Sequence, residues 1–522
     1  MVSISLPLII LISILGPFFC WFINFKNFKI NNNVKVEKIS FQYSLLLLVV
    51  VILSFLSYCS STEISGFKLV YQKNWIQDLG IDFNFGVDAF SMLSILLSAI
   101  VFPIIIYFSS RKEPSFYAFL FLIFTGLIGA LSSLNLLVFY CFFELMLFPL
   151  YYLILSKANC EARQAGIKFI LYTLGSSLVM LVGILYCGYA VYQSTGEVSF
   201  NIDSIAKMNF SSAEQQYLFL AFFVAFAVKA PIFPFHTWLP NTYSKSDSTI
   251  ATLLAGLLFQ LGIYGVYRFC FYLFPEASSS YQFLLALLGT LGIVVAGMIA
   301  YIQKEVKLVL AYASVSHIGF SILGLSTFTV FGTIGGLFQV FTHILIATGL
   351  FILGGILVDR TKKTSIDSFG GLARQAPVFS FFFLIFSLTS ISVPLSASFV
   401  GEFMLLAESF KVQAGITSFA TLGVIIGACY TLRLCQKLLF GEKAKGENGY
   451  SKFKDLSLKE AFVLSPILVL IIFLGIYPKP IIKTLETGSK NKVFQVDLNP
   501  QLPKFKNKIL EKELKKDGLK IA

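Results

Sequence analysis

The feature that most constrains this chain is a recurrence. Stretches of roughly 20 apolar residues with few charges return about fourteen times along 522 residues. In order they lie near 3–23, 40–58, 89–108, 116–133, 135–155, 168–193, 215–239, 248–273, 281–301, 306–325, 330–357, 376–406, 414–440 and 458–477. Hydrophobic residues make up 57% of the chain and charged residues 13%, with 57 Phe and a mean hydropathy of +0.81. An average soluble domain carries about 25% charged residues, so a soluble enzyme is excluded and lipid is the solvent for most of the chain. In lipid each backbone donor and acceptor must be satisfied within its own segment. Spans of this length are therefore helices, the alternative being barrel strands of roughly ten residues. The expectation is an all-α polytopic membrane protein of about fourteen transmembrane helices, with no inserted soluble domain. Its first apolar segment, from Ser3 to Ile23, lacks a basic leader and a small-residue cleavage site and reads as a span rather than a removable signal.

The net charge of +13 comes from 40 Lys and Arg against 27 Asp and Glu. No basic helix or aromatic stacking platform accompanies it, so no nucleic-acid partner is expected; the basic residues sit mostly in short loops and the C-terminal tail, where they set orientation and meet lipid headgroups. Lys26, Lys29, Lys35 and Lys38 follow the first span, Arg111 and Lys112 the third, and Lys157 and Arg163 the fifth. Arg360, Lys362 and Lys363 follow the eleventh, and Lys437, Lys443, Lys445, Lys452 and Lys454 the thirteenth. Odd-numbered loops are thus expected on the cytoplasmic or matrix side, with both termini opposite. Asp78, Asp82 and Asp88 after the second span, and Glu197 and Asp203 after the sixth, fit that assignment. The seven lysines between Lys504 and Lys520 do not, which calls either for a span count changed by one or for a partner on which the tail docks. The eight cysteines are scattered without C-x-x-C or Cys/His spacing and read as buried thiols, not metal ligands.

An ionised group in the bilayer core costs from about 2.5 to well over 10 kcal/mol, so each one needs a reason. Glu144 has no other charge between Asn135 and Lys157, and Lys229 lies in Phe222-Phe-Val-Ala-Phe-Ala-Val-Lys229-Ala-Pro-Ile-Phe-Pro-Phe-His236. His317 and His343 lie inside the tenth and eleventh spans, and Glu402 follows Pro394-Leu-Ser-Ala-Ser-Phe-Val-Gly401 in the twelfth. A structural role is open to each: a buried Glu–Lys pair can fix helix register, and a neutral histidine can be a hydrogen-bonded member of the bundle. The functional role is a two-state proton device. Opening a Glu144–Lys229 pair strips the lysine of its counter-charge and lets it release a proton, and closing it reloads the lysine. Histidines, with an ordinary pKa of roughly 6.5, suit the relay between such stations.

Prolines interrupt two of these spans beside their charges. In a helix Pro231 would leave the Ala227 carbonyl without its donor, Pro234 would do the same to Ala230, and Pro394 to Ser390. The seventh and twelfth spans are therefore expected to be broken. They lie five spans apart, which points to an inverted-repeat transporter whose exposed backbone lines a cavity. The expected division is 1–110 for spans one to three, 111–275 for a first five-helix repeat, 276–440 for a second, inverted repeat, and 441–522 for the last span and the basic tail.

The stretch Leu220-Ala-Phe-Phe-Val-Ala-Phe-Ala-Val-Lys229-Ala-Pro-Ile-Phe-Pro-Phe-His-Thr-Trp-Leu-Pro240 resembles the signature of the antiporter-like membrane subunits of respiratory complex I, in the subunit M type called chain 4 in mitochondria. Gly86-Val-Asp-Ala-Phe-Ser-Met92, Phe139-Tyr-Cys-Phe-Phe-Glu144, Lys168-Phe-Ile-Leu-Tyr-Thr173, Ala311-Tyr-Ala-Ser-Val-Ser-His317-Ile-Gly319 and Phe399-Val-Gly-Glu402-Phe extend the resemblance from about residue 80 to 440, in the family's order. It implies proton translocation driven by quinone reduction elsewhere in a complex. Glu144 then resembles the glutamate of the fifth helix, Lys229 the lysine of the broken seventh, His317 and His343 the histidines between half-channels, and Glu402 the carboxylate of the broken twelfth. Where the family commonly reads Leu-Lys-Leu-Gly in the eighth span, this chain has Phe259-Gln260-Leu-Gly262. Gln260 cannot hold a charged proton but can organise water through its donor and acceptor. The family's His and Glu-Ala-Pro after Trp-Leu-Pro are also replaced, by Asn241-Thr-Tyr-Ser-Lys-Ser-Asp-Ser248.

The function so implied is that of a proton-translocating subunit of NADH:quinone oxidoreductase in a bacterial or mitochondrial inner membrane. No Rossmann fingerprint, iron–sulfur spacing or haem motif is present. No cofactor is expected in this chain; partner subunits are expected to carry FMN and iron–sulfur clusters and to bind NADH and quinone, beside paralogous antiporter-like chains. The alternatives are a multi-subunit cation/proton antiporter, which shares these motifs, and a non-pumping assembly scaffold, which Gln260 raises.

Overall fold

Residues 5–25, 32–61, 66–109, 111, 113–156, 160–442 and 453–489 are described by the computed structural model. The tail lysines Lys504 to Lys520, and with them the question of where the tail docks, lie outside the described residues.

Among the described residues, eleven helices are long and apolar enough to cross a membrane. They are Val36–Ser60, Ala89–Tyr107, Pro114–Ser132, Leu136–Leu155, Cys160–Thr195, Ser248–Leu273, Gln282–Ile302, Val306–Leu325, Val330–Thr361, Ala414–Phe440 and Leu458–Ile476. Leu6–Cys20 and Pro377–Ser390 are shorter apolar helices. Helix starts follow local chemistry. Asp88 caps Ala89–Tyr107 by accepting from the Ser91 N–H at 2.7 Å while the Ser91 hydroxyl accepts from the Asp88 N–H. Ser211 with Glu214 and Ser457 with Glu460 form the same reciprocal box, each satisfying amides that a helix start leaves without partners.

Ser248–Leu273 and Val330–Thr361 pack against each other in the middle of the bundle and are buried along nearly their whole length. Val36–Ser60, Ala414–Phe440 and Leu458–Ile476 lie at its rim, with Leu53, Phe419 and Val469 turned outward. Lipid tails are as apolar as leucine, so burial alone does not hold such helices together; close backbone approach does. Gln282–Ile302 and Val306–Leu325 cross where Gly289 and Gly319 face each other's carbonyls, and a Cβ on either would meet the other's oxygen at under 3 Å.

The structure departs from the sequence reading in four places. Lys68–Ile76 and Ile81–Val87 form an antiparallel hairpin, Trp75 stacking on Phe83 at 4.7 Å, where the sequence suggests only an acidic loop. Its alternating signal, Ile-Asp-Phe-Asn-Phe, is short beside spans of twenty apolar residues. The fifth span is interrupted by a turn at Met146, two residues past Glu144, separating Leu136–Leu145 from Leu147–Leu155. The eighth contains two π-helical turns, Leu254–Leu258 and Val266–Cys270. Finally, Cys59, Cys141, Cys160 and Cys429 are exposed on the chain, not buried; on a lipid-facing helix an apolar thiol needs no protein cover.

Candidate functional site

The helix Ser212–Lys229 ends at its charge, because Pro231 cannot continue it. Carbonyls freed at such a break must find other donors. The Ala227 carbonyl, expected to stand unsatisfied, instead accepts from the Ile232 N–H at 2.8 Å, and the Val228 carbonyl from the Trp238 indole N–H at 3.0 Å. Lys168 reaches the carbonyl of Thr237 at 2.7 Å, and the Tyr172 and Thr237 hydroxyls lie 2.7 Å apart. The chain resumes as the short helix Leu239–Lys245. The replaced stretch Asn241–Ser248, most of which is in this helix, is anchored by salt bridges from Lys245 to Glu161 at 2.8 Å and from Arg111 to Asp247 at 2.7 Å.

Lys229 is buried, with its Nζ 4.5 Å from the centre of the Phe143 ring. Glu144, the residue after that phenylalanine, lies just before the turn at Met146. Among the ion pairs of the described residues, Glu144 and Lys229 do not form one; an aromatic face lies at the ammonium instead.

The twelfth span is broken as expected, into Pro377–Ser390 and Ala397–Val412. The break is tied by serines: the Ser398 hydroxyl donates to the Thr389 carbonyl and the Ser396 hydroxyl to that of Val393. Glu402 is thereby placed in the second turn of the new helix, buried. Its Oε1 accepts from Gln339 Nε2 at 3.1 Å and lies 3.7 Å from His317 Nδ1. His317 Nε2 is 3.2 Å from the Ser390 hydroxyl, at the end of the first half-helix. One histidine thus bridges both sides of the break.

His317 and His343 have ring centres 5.6 Å apart. His343 meets the Phe259 ring edge-on at 4.7 Å, which brings it to the neighbour of Gln260 on the central helix. Gln260 is fully buried and donates from Nε2 to the Ser98 hydroxyl at 2.8 Å. Among the described residues, Gln260 Oε1 and His343 Nε2 are buried without hydrogen-bond partners. Such groups keep their hydrogen-bonding capacity for water. The structure therefore brings His343, His317 and Glu402 into one row, with Phe259 joining His343 to the helix that carries Gln260, and places Glu144 and Lys229 at the turn of the fifth span and the break of the seventh.

Sequence reasoning missed three buried groups. Arg268 pairs with Asp88 at 3.5 Å, both shielded from solvent, and lies over the Phe67 ring; at a span end it reads as an ordinary flanking cation. Lys307 is buried and donates to the Ser246 carbonyl at 3.4 Å. His236, the third histidine, is buried against Phe233, and its Nδ1 finds no partner among the described residues. Its signal is present in the sequence, since it lies five residues beyond Pro231 in the broken segment.

A family model described as NADH:quinone oxidoreductase/Mrp antiporter, TM matches residues 133–427, which contain Glu144, Lys229, Gln260, His317, His343 and Glu402. NADH-quinone oxidoreductase subunit M of Rickettsia prowazekii is 33% identical over 498 residues, spanning 94% of this chain and 97% of that protein. The chain belongs to this family, in its subunit M branch. Subunit M of Escherichia coli K12 is 32% identical over 93% of this chain and 97% of its own. Among solved structures, a chain of respiratory complex I from Thermus thermophilus with bound NADH matches at a TM-score of 0.80 and 28% identity, covering 94% of this chain and 99% of that one. A chain of the Mrp complex from Dietzia matches at 0.81 but 19% identity, over 95% and 98% of the two chains, and shares the fold. The chain is a multi-pass integral membrane protein of the antiporter-like type.

Proposed function

We propose that this chain is a proton-translocating membrane-arm subunit of an NADH:quinone oxidoreductase, moving protons through a buried relay driven by quinone reduction in partner subunits. The observation that carries the proposal is the buried row His343, His317 and Glu402, which ends at the broken twelfth span and meets the central helix at Phe259, next to Gln260. Ionisable groups in membrane helices are costly enough to be kept for ion paths. Closing Glu144 onto Lys229 loads the lysine; with the two apart, Lys229 Nζ faces an aromatic ring that cannot take its proton. The proton then moves toward water held by Gln260 Oε1 and His343 Nε2, and from His317 to Glu402 as the exit station.

The architecture that fits this role has fourteen spans. It counts Ser212–Lys229 with Leu239–Lys245 as the seventh, and Pro377–Ser390 with Ala397–Val412 as the twelfth, within inverted five-helix repeats at 111–275 and 276–440. The two proline breaks five spans apart support it. FMN, iron–sulfur clusters and the NADH and quinone sites then belong to partner subunits, alongside paralogous antiporter-like chains. Full-length likeness to subunits M at 33% and 32% identity favours this reading over cation/proton exchange, for which the Mrp match supplies fold alone.

The test is Lys229→Ala in the assembled complex, with protons pumped per electron measured in sealed vesicles. A ratio reduced beyond error supports the proposal, and an unchanged ratio sinks it in favour of a scaffold. Native electrophoresis with mass spectrometry of the comigrating chains separates the alternatives further: flavin and iron–sulfur subunits mark the oxidoreductase, and antiporter chains alone mark cation exchange.

A further inference from the structure

The third and eighth spans share a buried polar seam that the relay above touches only at Gln260. Ser98 meets Gln260 at 2.8 Å, and Asp88 meets Arg268 at 3.5 Å. The first pair is ten residues further along Ala89–Tyr107 and eight residues earlier along Ser248–Leu273, so the two helices run antiparallel with both pairs on their contact line. Ser94 lies between Asp88 and Ser98, one helical turn from the latter, and Tyr264 lies between Gln260 and Arg268. Tyr264 stacks on Phe90 at 6.1 Å. From Ser98 to Asp88 the helix rises about 15 Å, half of a hydrocarbon core roughly 30 Å thick. The seam therefore runs from Gln260, next to the Phe259 that meets His343, to the hairpin end of the bundle, where Phe67 covers Arg268.

A second observation sets this seam apart from ordinary interhelical glue. Ser94 Oγ, Gln260 Oε1, and Arg268 Nε and Nη2 are all buried and have no hydrogen-bond partner among the described residues. The residues that carry them are at least nine-tenths buried. Serine, amide and guanidinium thus leave unused donors and acceptors in succession along the seam. Buried groups of this kind are normally satisfied by ordered water.

We propose that this seam is a second, water-filled proton branch, leading from Gln260 past Ser94 to the Asp88–Arg268 pair and out at the hairpin end, independent of the Glu402 exit. Water hydrogen-bonded to the Gln260 amide and the Ser94 hydroxyl passes the proton by exchanging O–H bonds along the file, the amide only orienting it, and the Asp88 carboxylate receives the proton while Arg268 stays charged. A neutral amide suits the branch point better than lysine, because a cation there would repel the proton that must pass it. The inference rests on the proton-translocating reading of the chain, and its test keeps the two apart.

Ser94→Ala, Ser94→Thr and Lys229→Ala are compared in assembled complex in sealed vesicles, with protons pumped per electron as readout. In parallel, complex carrying Ser94→Cys is treated with 2-aminoethyl methanethiosulfonate and modification is followed by mass spectrometry, with native Cys270, fully buried on the eighth span, as the dry standard. The branch predicts a ratio lowered by about a third to a half in Ser94→Ala and wild-type behaviour in Ser94→Thr, which keeps the hydroxyl. It also predicts that the thiol introduced at position 94 is modified at least tenfold faster than Cys270. A drop in Lys229→Ala alone, with the introduced thiol as unreactive as Cys270, overturns the branch and leaves the proton-translocating function standing. An unchanged ratio in Lys229→Ala overturns both. Should Ser94→Ala fail to assemble, the thiol reactivity decides: fast modification upholds the seam and modification as slow as that of Cys270 refutes it.

Discussion

Lys229 shows how one side chain can be charged in a bundle with no carboxylate in salt-bridge contact, Glu144 acting on it only from a distance. Its cost as an ion at membrane depth starts at about 2.5 kcal/mol on insertion scales. The Phe143 ring contributes about 0.5–2 kcal/mol as a cation–π contact, and its place as the last residue of a helix adds up to about 2 kcal/mol from the helix dipole. These gains roughly offset the smaller estimate of the cost, so the charge is held with little surplus. Phe143→Leu should therefore reduce pumping per electron severalfold while leaving the complex assembled, read out in vesicles and on native gels. Glu402 is held differently, by a neutral amide and a histidine. Glu402→Gln preserves the size and much of the hydrogen bonding but not the carboxylate, and should lower proton flux at least tenfold, about 1.4 kcal/mol in barrier. Wild-type flux in that variant would remove Glu402 from the relay.

At the scale of elements, the position of Lys229 depends on how its helix ends. The eighth span presses against that end at Gly262, where an added Cβ would lie about 2.5 Å from the Phe226 carbonyl oxygen and the Ala230 nitrogen, both backbone atoms. Neither can turn aside as a side-chain tip would. Gly262→Ala should therefore cost about 1–3 kcal/mol by overpacking and displace the lysine, lowering both the thermal stability of the complex and its pumping ratio. Ser211→Ala acts at the other end of the same helix. It removes a cap worth about 0.5–2 kcal/mol but leaves Lys229 where it is, so stability should fall while the ratio holds. A matching loss of the ratio would show that the helix moves as a rigid rod.

Across the whole molecule, charged loop contacts bind segments far apart in the chain. Arg111 meets Asp247, Arg360 meets Glu460, and Lys437 meets Asp367. The Lys437 ammonium, donating a hydrogen bond at 2.5 Å, holds the Asp367 carboxyl below its usual range. A carboxylate lowered on folding stabilises the fold above its unfolded pKa and loses that contribution as pH falls through the folded value. Both groups are largely exposed, so the contribution is at most about 1 kcal/mol. Asp367→Asn should thus lower the melting temperature slightly and evenly from pH 7 to 5, the difference shrinking below about pH 4. A difference that grew in acid would contradict the assignment.

The solvent, the helical class, the two broken spans and the candidate relay groups are legible in the amino-acid order without any coordinates. Each follows from local chemistry: the length of an apolar run, a proline's missing N–H, the cost of a charge among phenylalanines. Which groups meet is not legible there. Glu144 and Lys229, 85 residues apart, read as a pair that opens and closes; that Phe143 lies against the ammonium, in a helix that a turn at Met146 interrupts, is visible only in the fold. Asp88 and Arg268 read as unrelated flanks, and Ser94 as one serine among many, until the third and eighth spans lie antiparallel. Contact across a bundle depends on helix rotation and on close approach at glycines such as Gly262, properties of two segments together that neither segment records alone.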